Sequence, residues 1–210
     1  MTSIAVLVSG GGTNLQALID AQARGEMTGG TISLVLSSKP DVYALERARR
    51  AGIETLVLSR RDYADSAAYS RALADELRKR QIGLVVLAGF MVILSGEMTA
   101  AFRNRIINVH PSLVPSFCGD GCYGLKVHEK ALEYGVKVTG ATVHFVNEIT
   151  DGGEIILQKA VDVRDGDTPE MLQKRVMEEA EWLLLPRAVS LFCEGRLSFS
   201  GRRVCIKEGG

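Results

Sequence analysis

The sequence predicts an α/β fold, with a mostly parallel central sheet, helices on both faces and an antiparallel C-terminal part. Three observations carry that reading. Short apolar runs of strand length alternate with helix-period segments through the first half of the chain. Leu84–Ala88 is apolar at every position, as in a strand buried on both faces beneath helices. Late in the chain, two strand-like segments follow one another across a glycine-containing connection, the arrangement of an antiparallel pair.

In order, Ile4–Val8 is the first apolar run, broken by Ser9-Gly10-Gly11-Gly12-Thr13. From Asn14 the apolar residues Leu15, Leu18, Ile19 and Ala23 recur at helical spacing. Thr31–Leu36 reads as a strand, Val42–Ala51 as a helix that Gly52 ends, and Glu54–Leu58 as a short strand. Ala67–Arg80 is a charged amphipathic helix. Arg105–Pro111 is a strand running into a turn, and a loop containing glycine and cysteine covers roughly 116–124. Leu125–Tyr134 reads as a helix, and Lys137–Val146 with Glu154–Val163 make the antiparallel pair. One long helix from Thr168 to about Cys193 is expected to pack back on the sheet, before a strand or hairpin over Arg196–Lys207. No repeat, linker or low-complexity tract interrupts this order, so a single domain over 1–210 is expected.

The chain has 210 residues, 46% of them hydrophobic, and 25 Lys plus Arg against 25 Asp plus Glu. A chain of this length can bury its core without disulfide or metal staples. Zero net charge argues against a general nucleic-acid binder, which shows a basic stripe. The longest apolar run, Leu84 to Leu94 with Gly89 counted, has 11 residues, whereas a membrane span needs about 20. The start lacks the basic and apolar regions of a signal peptide. None of Cys118, Cys122, Cys193 and Cys205 forms a C-x-x-C motif, so a cytoplasmic chain with reduced thiols is expected.

Ser9–Asn14 lies between a buried strand and a helix start, where converging backbone N–H groups and the helix dipole can hold an anion. A dinucleotide fingerprint beginning at Gly10 would need glycine where Leu15 stands, and a Walker loop would need Lys after its last glycine. A small phosphomonoester fits better. A plain turn, with Thr13 or Asn14 capping the helix, stands level with it on position alone.

Asn108 and His110 are two apart at the end of a strand that Pro111 stops, so both point to one side at the sheet's carboxyl edge. An amide and an imidazole together suit a reaction that builds negative charge on a carbonyl oxygen. Asp151, in the turn Thr150-Asp151-Gly152-Gly153, could favour the protonated ring. Taken alone, the pair reads more simply as the end of a strand, and Asp151 as a turn residue.

Four segments change the weight of that reading. Val8–Gln16, Leu87-Ala88-Gly89-Phe90-Met91, Asn108-Val109-His110-Pro111-Ser112-Leu113 and Gly140–Val146 resemble, in order, the glycinamide ribonucleotide formyltransferases of purine biosynthesis. Asp151-Gly152-Gly153 and Ile155–Gln158 extend the last match, and the resemblance spans nearly the whole chain.

The resemblance implies a single-domain Rossmann-like formyltransferase fold. It implies a ribonucleotide phosphate site at Gly12, Thr13 and Asn14, and a catalytic set of Asn108, His110 and Asp151. The part at about 1–107 would supply the phosphate site, and the part at about 108–210 the catalytic and folate-binding groups. Folate is expected along Met91, Val92, Ile93 and Leu94, at Asn108 and along the 147–151 loop, mainly through backbone groups. Glu181 matches a glutamate that contacts the ribonucleotide. The implied co-substrate is 10-formyltetrahydrofolate, with no metal, nucleic acid or membrane partner, in a monomer or homodimer. Two departures stand out. Val92 replaces a frequent arginine, and Ser66 stands near the family's arginine for the folate glutamate tail, leaving Arg60 or Arg61 as substitutes.

The remaining histidines read as bystanders, His144 in a supporting or core role and His128 at the surface or rim. Cys118 and Cys122 lack the spacing of a known zinc site. The main rival is another 10-formyltetrahydrofolate enzyme, but a formyltetrahydrofolate hydrolase would usually carry an N-terminal regulatory domain. A methionyl-tRNA formyltransferase would bring a second, basic C-terminal domain. A non-catalytic phosphosugar-binding module would keep the glycine loop and have no need of Asn108, His110 and Asp151 together.

Overall fold

The computed structural model describes residues 1–208. Five parallel strands, β1 (Thr2–Val8), β2 (Gly30–Ser37), β3 (Glu54–Val57), β4 (Leu84–Leu87) and β5 (Ile106–His110), continue into antiparallel β6 (Val138–Phe145) and β7 (Ile155–Asp162). They form one sheet in the order β3-β2-β1-β4-β5-β6-β7. The winding reverses between β1 and β4, which parts the loops at the carboxyl edge of these two strands and opens a crevice there.

The unbroken apolar runs of β1 and β4 follow from burial on both faces. Ile4, Val6, Val8, Leu84 and Val86 pack beneath α1 (Thr13–Ala23), α2 (Tyr43–Arg50) and α7 (Trp182–Cys193). Their neighbours Ala5, Leu7, Val85 and Leu87 pack on the other face, against Tyr69, Leu73 and Leu77 of α3 (Ser66–Lys79) and Met98 of α4 (Gly96–Ala101). The pleat therefore divides each strand between two cores.

The C-terminal half adds α5 (Leu125–Tyr134), α6 (Pro169–Val176) and a hairpin of β8 (Leu197–Ser200) and β9 (Arg203–Ile206). The single helix expected from Thr168 to Cys193 is interrupted, because Met177–Glu181 winds as a π turn between α6 and α7. Pro186, inside α7, has no N–H to give the carbonyl of Trp182, so one helical hydrogen bond is missing just beyond that turn. Neither α4 nor the short 3₁₀ turn Arg60–Asp62 was legible from periodicity. Among the described residues no helix is long and apolar enough to cross a membrane.

Candidate active site

A cavity of about 670 Å³ occupies the crevice. Residues 89–94 after β4 form one wall, and 119–124 with 147–151 form the other. Asn108, His110 and His144 make the floor, while Thr13, Asn14 and Glu181 close the far end. The structure thus brings Thr13, Asn14, Met91, Val92, Ile93, Leu94, Asn108, His110, Asp151 and Glu181 to one cavity. Gly12 stands just behind it as the residue preceding α1.

Strand register builds the floor. In the β5–β6 pair Asn108 lies opposite His144 and His110 opposite Thr142, so Asn108, His110 and His144 share one face. The amide Nδ2 of Asn108 donates to Nε2 of His144 at 3.2 Å, because Nδ1–H of His144 is already given to the Phe145 carbonyl at 2.7 Å. Asp151 lies between the two histidines. Its Oδ2 is 3.5 Å from Nδ1 of His110, and its Oδ1 is 3.6 Å from Nε2 of His144.

Backbone groups of the 116–124 loop complete this array. His110 Nε2–H donates to the Phe117 carbonyl at 2.9 Å, and the Gly119 N–H donates to Asp151 Oδ2 at 2.9 Å. Neither residue was singled out from the sequence, since a backbone contact leaves no side-chain signature.

Burial adds an influence on His110 that the sequence did not show. Burial pushes the His110 ring below the usual histidine range, and Asp151 and the Phe117 carbonyl only partly oppose it, with His144 adding to the fall. Asp151 thus favours the charged ring, as its place in the sequence suggested, but burial outweighs it. Asp151 itself is pressed upward by burial. The His144 contact, the nearby His110 and the Gly119 N–H outweigh that and hold it below the ordinary aspartate value.

The glycine loop is shaped by its neighbours. Gly12 has φ of 73°, and a Cβ there would lie 2.7 Å from Ala44 Cβ, so an unsubstituted residue is required. Gly10 accepts from the Ala44 N–H at 3.2 Å, and Arg47 Nε donates to the Gly11 carbonyl at 2.9 Å. No side chain caps α1, so the reading in which Thr13 or Asn14 does so is not what forms. The first N–H groups of α1 are left to face the cavity end. Asn14 instead turns its amide to Glu181, donating to Oε2 at 2.6 Å. Burial pushes that carboxyl up to about 7, against the pull of the Asn14 bond.

His128 is a correction. Expected at the surface or rim, it is fully buried on the inner face of α5, and neither ring nitrogen has a partner within the protein. Burial and the nearby His110 pull its pKa down to about 4. Arg60 gives its guanidinium to the Tyr63 carbonyl and Ser66, and neither it nor Arg61 lines the cavity. Among the described residues no cluster of three or more His, Cys, Asp or Glu is arranged to hold a metal. Gln173 and Met177 also line the cavity, beyond the residues expected.

Comparison with known proteins agrees with this architecture. The family described as formyl transferase matches residues 2–189. The trifunctional purine biosynthetic protein adenosine-3 of Bos taurus is 44% identical over 207 residues, covering 98% of this chain and 20% of that protein. The chain thus spans about a fifth of the length of such relatives. The phosphoribosylglycinamide formyltransferase of Haemophilus influenzae is 41% identical over 197 residues, covering 94% of this chain and 90% of that protein. The crystal structure of glycinamide ribonucleotide transformylase 1 from Symbiobacterium toebii has a TM-score of 0.93 at 48% identity, over 99% of this chain and 95% of that one. With a matching family over nearly all of its length and a relative of its own size, this chain belongs to the formyl transferase family.

Proposed function

We propose that the chain transfers a formyl group from 10-formyltetrahydrofolate to the amine of glycinamide ribonucleotide. The products are formylglycinamide ribonucleotide and tetrahydrofolate, in de novo purine biosynthesis. The observation that carries this reading is Asn108, His110 and Asp151 gathered in one cavity whose far end is the start of α1 after the glycine loop. Relatives of the chain's own length carry the name of that activity.

On this reading the N–H groups at Gly12, Thr13 and Asn14 take the phosphate, and Glu181 the sugar side of the ribonucleotide. The folate lies along Met91, Val92, Ile93 and Leu94 and the 147–151 loop, whose exposed Met91, Ile93 and Ile149 offer it apolar surface. The amine lone pair attacks the formyl carbon, and the carbonyl π pair moves onto oxygen. Asn108 Nδ2–H and His110 Nε2–H stabilise that oxyanion, the latter leaving the Phe117 carbonyl to do so. Collapse restores the carbonyl and breaks the bond to N10. The proton lost by the attacking nitrogen reaches N10 through His110 or an ordered water. Asp151, 3.5 Å away, steadies the positive charge the ring carries during that passage. The reaction so written calls on no metal. Both partners are small molecules, and the work is cytoplasmic.

Incubation with 10-formyltetrahydrofolate tests the proposal. Tetrahydrofolate should appear only when glycinamide ribonucleotide is added. Release without it would identify a hydrolase, and none under either condition would overturn the reading. His110→Ala should lower kcat by roughly two orders of magnitude or more with ribonucleotide binding retained; full activity would remove His110 from the mechanism.

A further inference from the structure

The C-terminal hairpin reaches the catalytic loop. Arg202 sits in the turn between β8 and β9, and its Nη2 donates to the Gly152 carbonyl at 2.8 Å. The same carbonyl accepts from Asn147 Nδ2 at 3.3 Å, while Asn147 Oδ1 takes the Ile149 N–H at 2.9 Å. The loop is braced by Asn147 from within and by Arg202 from outside. Bracing matters here because Asp151 has φ of 53°, a left-handed conformation that L side chains rarely keep unless their surroundings enforce it.

The hairpin is itself joined to the sheet. Phe199 of β8 stacks on Phe145 of β6 with centroids 5.1 Å apart, next to His144 in the chain. Arg196 and Lys207 close its base, with Arg196 Nε donating to the Lys207 carbonyl and the Lys207 N–H to the Arg196 carbonyl, both at 2.9 Å. Arg202 is not among the residues lining the cavity, and its link to the site runs through Gly152.

We infer that Arg202 is a positioning residue for formyl transfer, holding Gly152 so that the Asp151 carboxylate stays turned toward His110 and His144. The inference rests on the formyl-transfer reading, and hydrogen exchange tests the brace independently of turnover. In Arg202→Ala, kcat should fall roughly tenfold. The KM for 10-formyltetrahydrofolate should rise with it, because 147–151 walls the folate end, and the KM for the ribonucleotide should stay unchanged. Arg202→Lys, which keeps a cationic donor, should restore most of the loss. Amides of 148–153 should exchange faster in Arg202→Ala, with the rest of the sheet unaffected. Wild-type kinetics in Arg202→Ala would overturn the inference, as would unchanged loop exchange. Equal damage to both KM values with a lowered Tm would also overturn it, in favour of a purely structural role. A wild-type chain releasing no tetrahydrofolate would count against the functional reading, while the exchange result would still report on the brace.

Discussion

Asn14 and Glu181, 167 positions apart in the chain, meet at the far end of the cavity in a 2.6 Å hydrogen bond from amide to carboxylate. The bond ties the start of α1 to the π turn before α7, so the glycine loop and the last long helical segment share one polar anchor. Asn14 Oδ1 has no partner within the protein and is buried beside it.

That anchor gives a pH signature. Glu181 is pushed from 4.5 up to about 7 by burial. Below 4.5 the folded and unfolded chains both hold the proton, and between 4.5 and about 7 only the folded chain does. Stability contributed by this group is therefore present at low pH and lost as pH rises through that window. Glu181→Gln removes the titration. In urea denaturation its stability relative to wild type should improve by about 2 kcal/mol between pH 5 and pH 8. A gap independent of pH would show that Glu181 keeps an ordinary carboxyl.

The histidines can be read one by one by NMR titration. His128 should titrate near 4 and His110 below 6.5, both held down chiefly by burial. Asp151→Asn takes away the main attraction that opposes burial at His110, so the His110 midpoint should fall further. A midpoint that rises in Asp151→Asn would contradict the electrostatics of the floor.

Two adjacent glycines in the loop before α1 should respond differently. Gly12→Ala puts a methyl 2.7 Å from Ala44 Cβ at φ of 73°, which should cost about 2 to 4 kcal/mol and raise the KM for the ribonucleotide. Gly11→Ala meets nothing within 4 Å and should fold normally. Thermal melts of the two variants would settle the order, and equal Tm values would refute the packing argument.

The turn that carries Asp151 offers a similar contrast. A Cβ at Gly153 would lie 1.7 Å from the Phe145 carbonyl oxygen, a backbone atom that cannot step aside. At Gly152 it would meet Cγ2 and Cβ of Ile149 at 2.5 and 2.6 Å, and because Cβ is fixed to the backbone the exposed 149–152 turn itself would have to shift. Both variants should therefore lose turnover, Gly153→Ala the more because Phe145 belongs to a strand of the sheet whereas Ile149 lies in an exposed loop; the reverse ranking in steady-state kinetics would count against the contact geometry.

Much of this architecture was legible in the residues. The runs at Ile4–Val8 and Leu84–Ala88 announce doubly covered strands because both faces of those strands are core. Asn108 and His110 were visible as a pair because strand periodicity fixes their common face. His128 was not: its helix looks amphipathic, and no pattern tells a buried imidazole from a rim one. The carbonyl of Phe117 and the N–H of Gly119 belong to every peptide, so only the path of the loop shows what they touch. Arg202 lay hidden for another reason: a lone arginine in a turn names no partner until a distant hairpin folds against it.

The π turn at Met177–Glu181 has a consequence for how such a chain can change over time. A π turn is an α-helix holding one residue too many, and successive helical residues are about 100° apart around the axis. Losing a single codon within 177–181 would rewind α6 and α7 into one regular helix and rotate the residues on one side of the gap against those on the other. Glu181 could not then face Asn14 while Val176 and Leu172 kept their places in the core. The cavity end therefore depends on an insertion as well as on a side chain, and a deletion there should be as damaging as replacing the glutamate itself.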